Sequence, residues 1–519
     1  MRRIDKVLFI IIFSGLLRGS GFVPNVAVTS GGGIQQMPDM VVGKDGSIYV
    51  VWLDASVAEG KIYFSKSTDH GASFEYPVQV SGREANSVSI LSGGPRIAEY
   101  DGTLYIAWSD QRMGYSYTNI RFTKSEDGGA TWSSSSEVGT AGRFNLYADL
   151  IVAEDGTLHF WYYQYSSLSL DFESVMYRQS TNGGDSFSSP KKLSNYSGSI
   201  PCDCCPADLV ILSSGRKLTA FRDNNDNIRD IFGVFSEQGS TSWGDLLRIS
   251  YQDFFIDYCP SSGPSIGILE NIVAIGYMVG VESVPRVFLK FSTDNAVTFS
   301  DSFAVDADVS IDVIQDYPTT AMTSDGVIHI AWQDSRGRSD IYYGNMTTLD
   351  SELKNIEILN DDDADKQQRE PKIQAGKDGY VYAVWTDRRS GTEIYFTTNN
   401  PASLATDPEA SLPAQFRLHQ NYPNPFNPAT TIRYDLPQEG YVDLVIYDVL
   451  GRKVRTLVSD RVATGFHQAM WDGSNDLGNQ VSAGVYLYRL DVVSEGSFGP
   501  DGPDGSERYG KTGKTLLLK

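Results

Sequence analysis

Four stretches of the chain end in a tryptophan followed by charged residues at fixed spacing. They are Trp52-Leu53-Asp54, Trp108-Ser109-Asp110-Gln111-Arg112, Trp332-Gln333-Asp334-Ser335-Arg336 and Trp385-Thr386-Asp387-Arg388-Arg389. A carboxylate and a guanidinium at this spacing can grip a polar ligand such as a sugar, or can satisfy each other as a salt bridge. Recurrence favours the salt bridge, because a residue present in every repeat usually serves the repeat. Other chemistry is sparse. His70, His159, His329, His419 and His467 are far apart and form no zinc spacing. The cysteines are Cys202, Cys204, Cys205 and Cys259. An even count in an exported chain suggests disulfides with the connectivity open, and the Cys-Asp-Cys-Cys run is a weaker candidate for a soft metal. No metal, cofactor or catalytic residue is assigned.

The charged ends must be held by strands. Each follows an Asp-Gly turn (Asp45-Gly46, Asp101-Gly102, Asp325-Gly326, Asp378-Gly379) and an alternating run, with weaker copies near 155–162, 214–223 and 269–277. Ahead of each lies a short strand opening at Pro38, Pro95, Ala148, Pro206, Pro264, Pro318 or Pro371, at steps of 53 to 58 residues. A third strand such as Asp340–Tyr343 and a fourth such as Pro77–Val80 complete the unit. Four antiparallel strands per repeat without helical periodicity describe a blade of a β-propeller. The spacing predicts an all-β ring of seven blades, or six if the weak fifth unit is irregular. The stretch Pro24–Ser30 is expected to supply the fourth strand missing after Thr398 and so close the ring.

In such a blade the loop after strand two and the loop into strand one share a face. The expected ligand-binding mouth therefore gathers Asp110, Arg112, Arg222, Asp223, Asp257, Tyr258, Asp316, Tyr317, Asp334, Arg336, Asp387 and Arg388. Asp54, Tyr147, Asp208, Arg369 and Glu370 join them.

Composition bounds the partners. Lys plus Arg is 43 and Asp plus Glu is 65, a net charge of −22, which excludes nucleic-acid binding through a broad basic surface. A hydrophobic share of 41% with 12% aromatics excludes global disorder. The basic Met1–Lys6, the apolar Val7–Leu17 and the small residues Gly19-Ser20-Gly21 read as a signal peptide over 1–21, too short for a comfortable membrane span. The mature chain is expected to be secreted or held at a bacterial cell surface, with no transmembrane span.

The turn between strands three and four has its own signature. It reads Ser67-Thr-Asp69-His-Gly71-Ala-Ser73-Phe74, Ser125-Glu-Asp127-Gly-Gly129-Ala-Thr131-Trp132, Ser180-Thr-Asn182-Gly-Gly184-Asp-Ser186-Phe187 and, decayed, Ser292–Phe299. This resembles the Asp-box, or bacterial neuraminidase repeat, of sialidase-like propellers. The resemblance implies a structural turn on the face opposite the active site. It also implies an arginine triad, a Tyr–Glu pair and an Asp acid/base if the chain were a sialidase. The nearest match to that family's first arginine motif is Gly94-Pro95-Arg96-Ile97-Ala98, which lacks the aromatic and the final proline. No catalytic residue is carried over.

Residues 401–415 read as a linker between a propeller over 22–400 and a small Ig-like β-sandwich over 416–519. The run Asn421-Tyr-Pro-Asn-Pro-Phe-Asn-Pro428, the hairpin Tyr447-Asp-Val-Leu-Gly-Arg-Lys-Val454 and the strand Gly484-Val-Tyr486 resemble the C-terminal sorting domain of type IX secretion. The resemblance implies delivery by that machinery. The expected function is binding of a glycan or protein partner outside the cell; an exo-sialidase-like glycoside hydrolase is the rival.

Overall fold

The computed structural model describes residues 21–29, 33–56, 60–81, 94–111, 118–166, 171–193, 201–240, 242–244, 246–258, 260–282, 284–310, 312–362, 366–404, 415–421, 424–427, 429–494 and 507–518. The signal-peptide reading (save Gly21), Arg112, Cys259 and residues 405–414 of the expected linker lie outside the described residues. Among those described, the helical content is one 3-10 turn, Pro401–Leu404, and the rest of the regular structure is strand. No helix is long and apolar enough to cross a membrane.

Among the described residues up to Thr398 the strands form seven four-stranded antiparallel sheets. Sheet one runs Gln35–Val42, Ile48–Asp54, Lys61–Ser67 and Val78–Gln79. Sheets two to six open at Arg96–Tyr100, Phe144–Val152, Asp208–Ile211, Ser265–Leu269 and Gln315–Met322. Sheet seven holds Gln368–Ala375, Val381–Asp387 and Glu393–Thr398. Its fourth strand is Val26–Ala27, with Val26 opposite Phe396 and Ala27 opposite Tyr395. The opening strands pack on one another in order, and Gln368–Ala375 packs on Gln35–Val42. The result is a propeller-like ring whose N-terminal segment is fastened to its last sheet.

Burial follows from this. The second strands Ile48–Asp54 and Val381–Asp387 are buried along their whole length, because a sheet lies against each face. The opening strand Gln35–Val42 is only intermittently buried, since one side meets the ring's axis.

The Asp-boxes join neighbouring sheets. In the second, Ser125 Oγ donates to Asp127 at 2.8 Å, Gly129 N–H donates to Ser125 Oγ at 2.9 Å and Thr131 N–H donates to Asp127 at 2.8 Å. These bonds hold the Asp127 carboxyl down at about pKa 2, the Thr131 hydroxyl contributing most. The box aromatic reaches the preceding sheet: Trp132 meets Phe64, Phe187 meets Phe122 and Phe74 meets Phe396, each at 5.2 Å between ring centres.

The C-terminal segment is a second all-β unit. One sheet orders Lys453–Val462, Gly440–Asp448, Gly484–Ser494 and Glu507–Leu517; the other pairs Arg417–Leu418, Thr430–Leu436 and Gly465–Trp471. They enclose Phe426, Ile432, Leu444, Trp471 and Tyr488, the pattern of a sandwich.

Candidate binding site

A cavity of about 820 Å³ runs along the ring's axis, lined by the opening strands of all seven sheets. One residue per sheet forms a girdle inside it: Asp39, Arg96, Asp149, Asp208, Ser265, Thr319 and Lys372. The girdle also links blades. Asp39 accepts the N–H of Ile97 at 3.0 Å, Asp208 that of Ile266 at 2.7 Å, Ser265 that of Thr320 at 3.0 Å and Thr319 that of Ile373 at 3.2 Å. Arg96 Nε donates to Asp149 at 3.2 Å, and its Nη1 donates to the Pro95 carbonyl at 3.1 Å.

Three carboxylates and two cations thus share a confined space. Burial raises the Asp208 pKa to about 7, and neighbouring Asp149 adds to it. Burial also raises Asp149, against the pull of Arg96. Lys372 is lowered by burial and by Arg96, while the three aspartates oppose that. Crowding of like and unlike charges in one confined space thus moves Asp149 and Asp208 up and Lys372 down.

Two positions before the girdle residue the backbone turns left-handed: Met37 (φ 55°), Gly94 (78°), Tyr147 (53°), Tyr317 (50°) and Glu370 (55°). Four of these are not glycine. Each of those four sits where strand register slips by a bulge, between Gln36 and Asp39, Leu146 and Asp149, Asp316 and Thr319, and Arg369 and Lys372. A bulge re-aims the side chain, here into the mouth of the cavity, where Met37, Tyr147, Tyr317 and Glu370 all appear. Burial raises both Tyr317 and Glu370, so the tyrosine remains a neutral hydroxyl.

The rim charges picked out by spacing have other work. Asp334 is fully buried, accepts from Trp332 Nε1 at 3.1 Å and is clasped by Arg336 at 2.9 and 2.8 Å. Arg336 also reaches Asp306 at 2.6 Å. Asp387 accepts from Trp385 Nε1 at 2.9 Å and from Arg389 at 3.0 and 2.8 Å, whereas Arg388 donates to Gln367 at 3.2 Å. Asp110 is buried with Trp108 Nε1 at 3.4 Å. Arg222 is fully buried and donates to the carbonyls of Ser262, Arg229 and Met278. Asp223 is buried too. Asp257 and Tyr258 are exposed, and Asp316 is raised to about 6 by burial, against bonds from Ser262 and the Tyr317 N–H. Of the expected mouth residues that are described, Tyr147, Asp208, Tyr317 and Glu370 line the cavity.

Apart from Asp208, spacing did not single out the girdle. Its signal is the variable, often charged residue just after the strand-opening proline in Pro38-Asp39, Pro95-Arg96 and Pro371-Lys372. Of the four disulfide candidates, Cys202 and Cys205 are buried free thiols and Cys204 is disulfide-bonded.

Residues 40–330, over half the chain, match the BNR repeat-like domain. The chain belongs to that family. Residues 428–496 of this BNR-repeat protein match the FlgD Ig-like domain. Among solved structures, a Hadza microbial sialidase is similar at 18% identity and a TM-score of 0.42, over 58% of this chain and 65% of that one. The BNR-repeat chain thus spans about 65% of that sialidase's length. A PL25 ulvan lyase is similar at 11% identity and TM-score 0.49, over 73% of this chain and 94% of the lyase. The arabinofuranosidase of Fusarium graminearum is similar at 12% identity and TM-score 0.41, over 73% and 98%. No curated protein matches the chain.

Proposed function

We propose that this BNR-repeat protein is a seven-bladed, non-catalytic propeller that binds a glycan at the mouth of its axial cavity. One observation carries the reading. The rim's charged pairs are spent on each other, Asp334 with Arg336 and Asp387 with Arg389, which leaves Tyr147, Tyr317 and Glu370 as the mouth's ligand-facing groups. Neutral hydroxyls on aromatic faces with one carboxyl suit a polyhydroxylated ring, which stacks by its C–H face and bonds at its edge. Phe255 and Tyr258, 62% and 54% exposed, offer further stacking surface where the 250–258 loop meets the Arg222 end of sheet four.

The hydrolase rival needs free guanidiniums for a sugar carboxylate. Arg96, the nearest match to the family's first arginine, lines the cavity but is tied to Asp149. Export by the signal peptide, delivery by a type IX sorting domain over 416–519, residence at the cell surface, and the boundaries 22–400 and 401–415 belong to the same proposal. They rest on the motifs of the N- and C-terminal segments and on the blade topology.

The test is a glycan array followed by calorimetry on the full chain. Saturable binding is expected, weakened about tenfold or more in Tyr317→Ala. Release of a fluorogenic sialoside that disappears in Arg96→Ala would establish the hydrolase instead.

A further inference from the structure

We propose that the Cys202-Asp203-Cys204-Cys205 turn, once the disulfide at Cys204 is reduced, holds one soft d10 cation, Cu(I) in the first place, between three thiolates. The three sulfurs already converge: Cys202 Sγ lies 3.4 Å from Cys204 Sγ and 3.4 Å from Cys205 Sγ, and Cys204 and Cys205 are 3.9 Å apart. An ion about 2.3 Å from each of three sulfurs spaces them roughly 3.8–4.0 Å apart. Two of the gaps need to open by only a few tenths of an ångström. The cluster contains no histidine or carboxylate, and an all-sulfur set selects a soft cation.

Charge points the same way. Arg222 and Arg229 are both buried, and among the described residues neither makes an ion pair with a carboxylate. Arg229 Nη1 instead donates to Cys202 Sγ at 3.1 Å, and Arg222 supplies the carbonyl that accepts the Cys202 N–H at 2.7 Å. Three thiolates around a monovalent ion carry two negative charges, which two buried guanidiniums offset. The frame is rigid: Tyr163 Oη donates to the Cys205 carbonyl at 2.6 Å and Tyr165 Oη to that of Asp203. Cys202 and Cys205 are buried, while Cys204 and Asp203 lie on the cavity wall, which gives an ion its way in.

The chemistry balances. A dithiol reductant gives two electrons and two protons to the disulfide, yielding two thiols and its own cyclic disulfide. Binding then exchanges three thiol protons for one cation, with no further redox change.

The full chain is reduced with a dithiol, freed of it without air, and titrated with Cu(I) against a competing chelator; X-ray absorption then reads the bound ion. One equivalent with three sulfur neighbours is expected, and Arg229→Gln is expected to weaken binding about 10- to 100-fold. Less than one equivalent, a shell of nitrogen or oxygen, or undiminished affinity in Cys205→Ser would overturn the proposal. So would a ring that unfolds on reduction before any ion binds. If a variant fails to fold, the absorption spectrum of the native chain decides alone.

Discussion

Arg96 reaches across from sheet two to Asp149 of sheet three and meets it at 3.2 Å inside the ring's axis. One blade further round, Asp208 accepts the Ile266 N–H and, among the described residues, has no cation bonded to it. Its folded pKa of about 7 lies above the ordinary carboxyl value of 3.8. A raised carboxyl pKa favours the folded state fully below pH 3.8, and the benefit is lost progressively as pH rises from 3.8 through 7. Asp208→Asn keeps an oxygen for the Ile266 N–H and removes the charge. It is expected to raise stability at pH 8 by about 1–2 kcal/mol, a discounted value because the group faces the cavity, and by less than half of that at pH 5. Thermal unfolding at the two pH values measures this.

His159 and His329 act on the acid side. Burial holds each at about pKa 4, against an ordinary 6.5. Each gives or takes a 2.6 Å hydrogen bond with a tyrosine hydroxyl, Tyr177 and Tyr343. The unfolded chain takes up these protons first as pH falls. Their contribution is therefore complete above pH 6.5, is lost between 6.5 and 4, and changes no further below 4. Urea midpoints are expected to fall across that window. The double variant His159→Gln, His329→Gln flattens the slope there while leaving the steeper loss below pH 4, where Asp127 and its counterparts protonate.

The box glycines are set by close approach as well as by backbone angle. A Cβ on Gly129, at φ +90°, would lie 2.2 Å from Phe64 Cε1 in the preceding sheet. Gly142, at φ +70°, has nothing within 4 Å of that position. Gly129→Ala is expected to cost about 2–4 kcal/mol and Gly142→Ala about 1, the difference being the collision between blades. Denaturant unfolding of the two variants separates strain from clash.

Arg336, two residues after its aspartate, and Arg388, one residue after Asp387, differ in what they leave behind. Removing Arg336 strands the fully buried Asp334, an expected loss of about 3–5 kcal/mol in Arg336→Ala. Removing Arg388 frees only a hydrogen bond to Gln367, and Arg388→Ala is expected to stay within about 0.5 kcal/mol. Equal losses would place Arg388 in the framework and return Asp387 to the pool of candidate ligands.

The blade was readable because its cues are local. The Asp-Gly turns, the alternation through Trp332 and Trp385, and Ser125-x-Asp127-x-Gly129 each specify a turn or a strand within ten residues. Even the strand Val26–Ala27, which pairs with Tyr395 and Phe396, lies in the Pro24–Ser30 stretch expected to supply the missing fourth strand. The site was less readable. Asp387 pairs with Arg389, which stands at the offset of Arg336 from Asp334, and not with the expected Arg388. Asp39, Asp149, Asp208 and Lys372 lie far apart in sequence, so nothing local announces that they share one cavity.

By itself, then, the sequence determined the strands, their turns and their repetition, because period-two alternation and turn chemistry act over a few residues. Only the closed ring decided which charges face the axis, which pair away, and how near neutrality Asp208 titrates. Those properties depend on distances and burial between strands that meet only when the last sheet packs on the first.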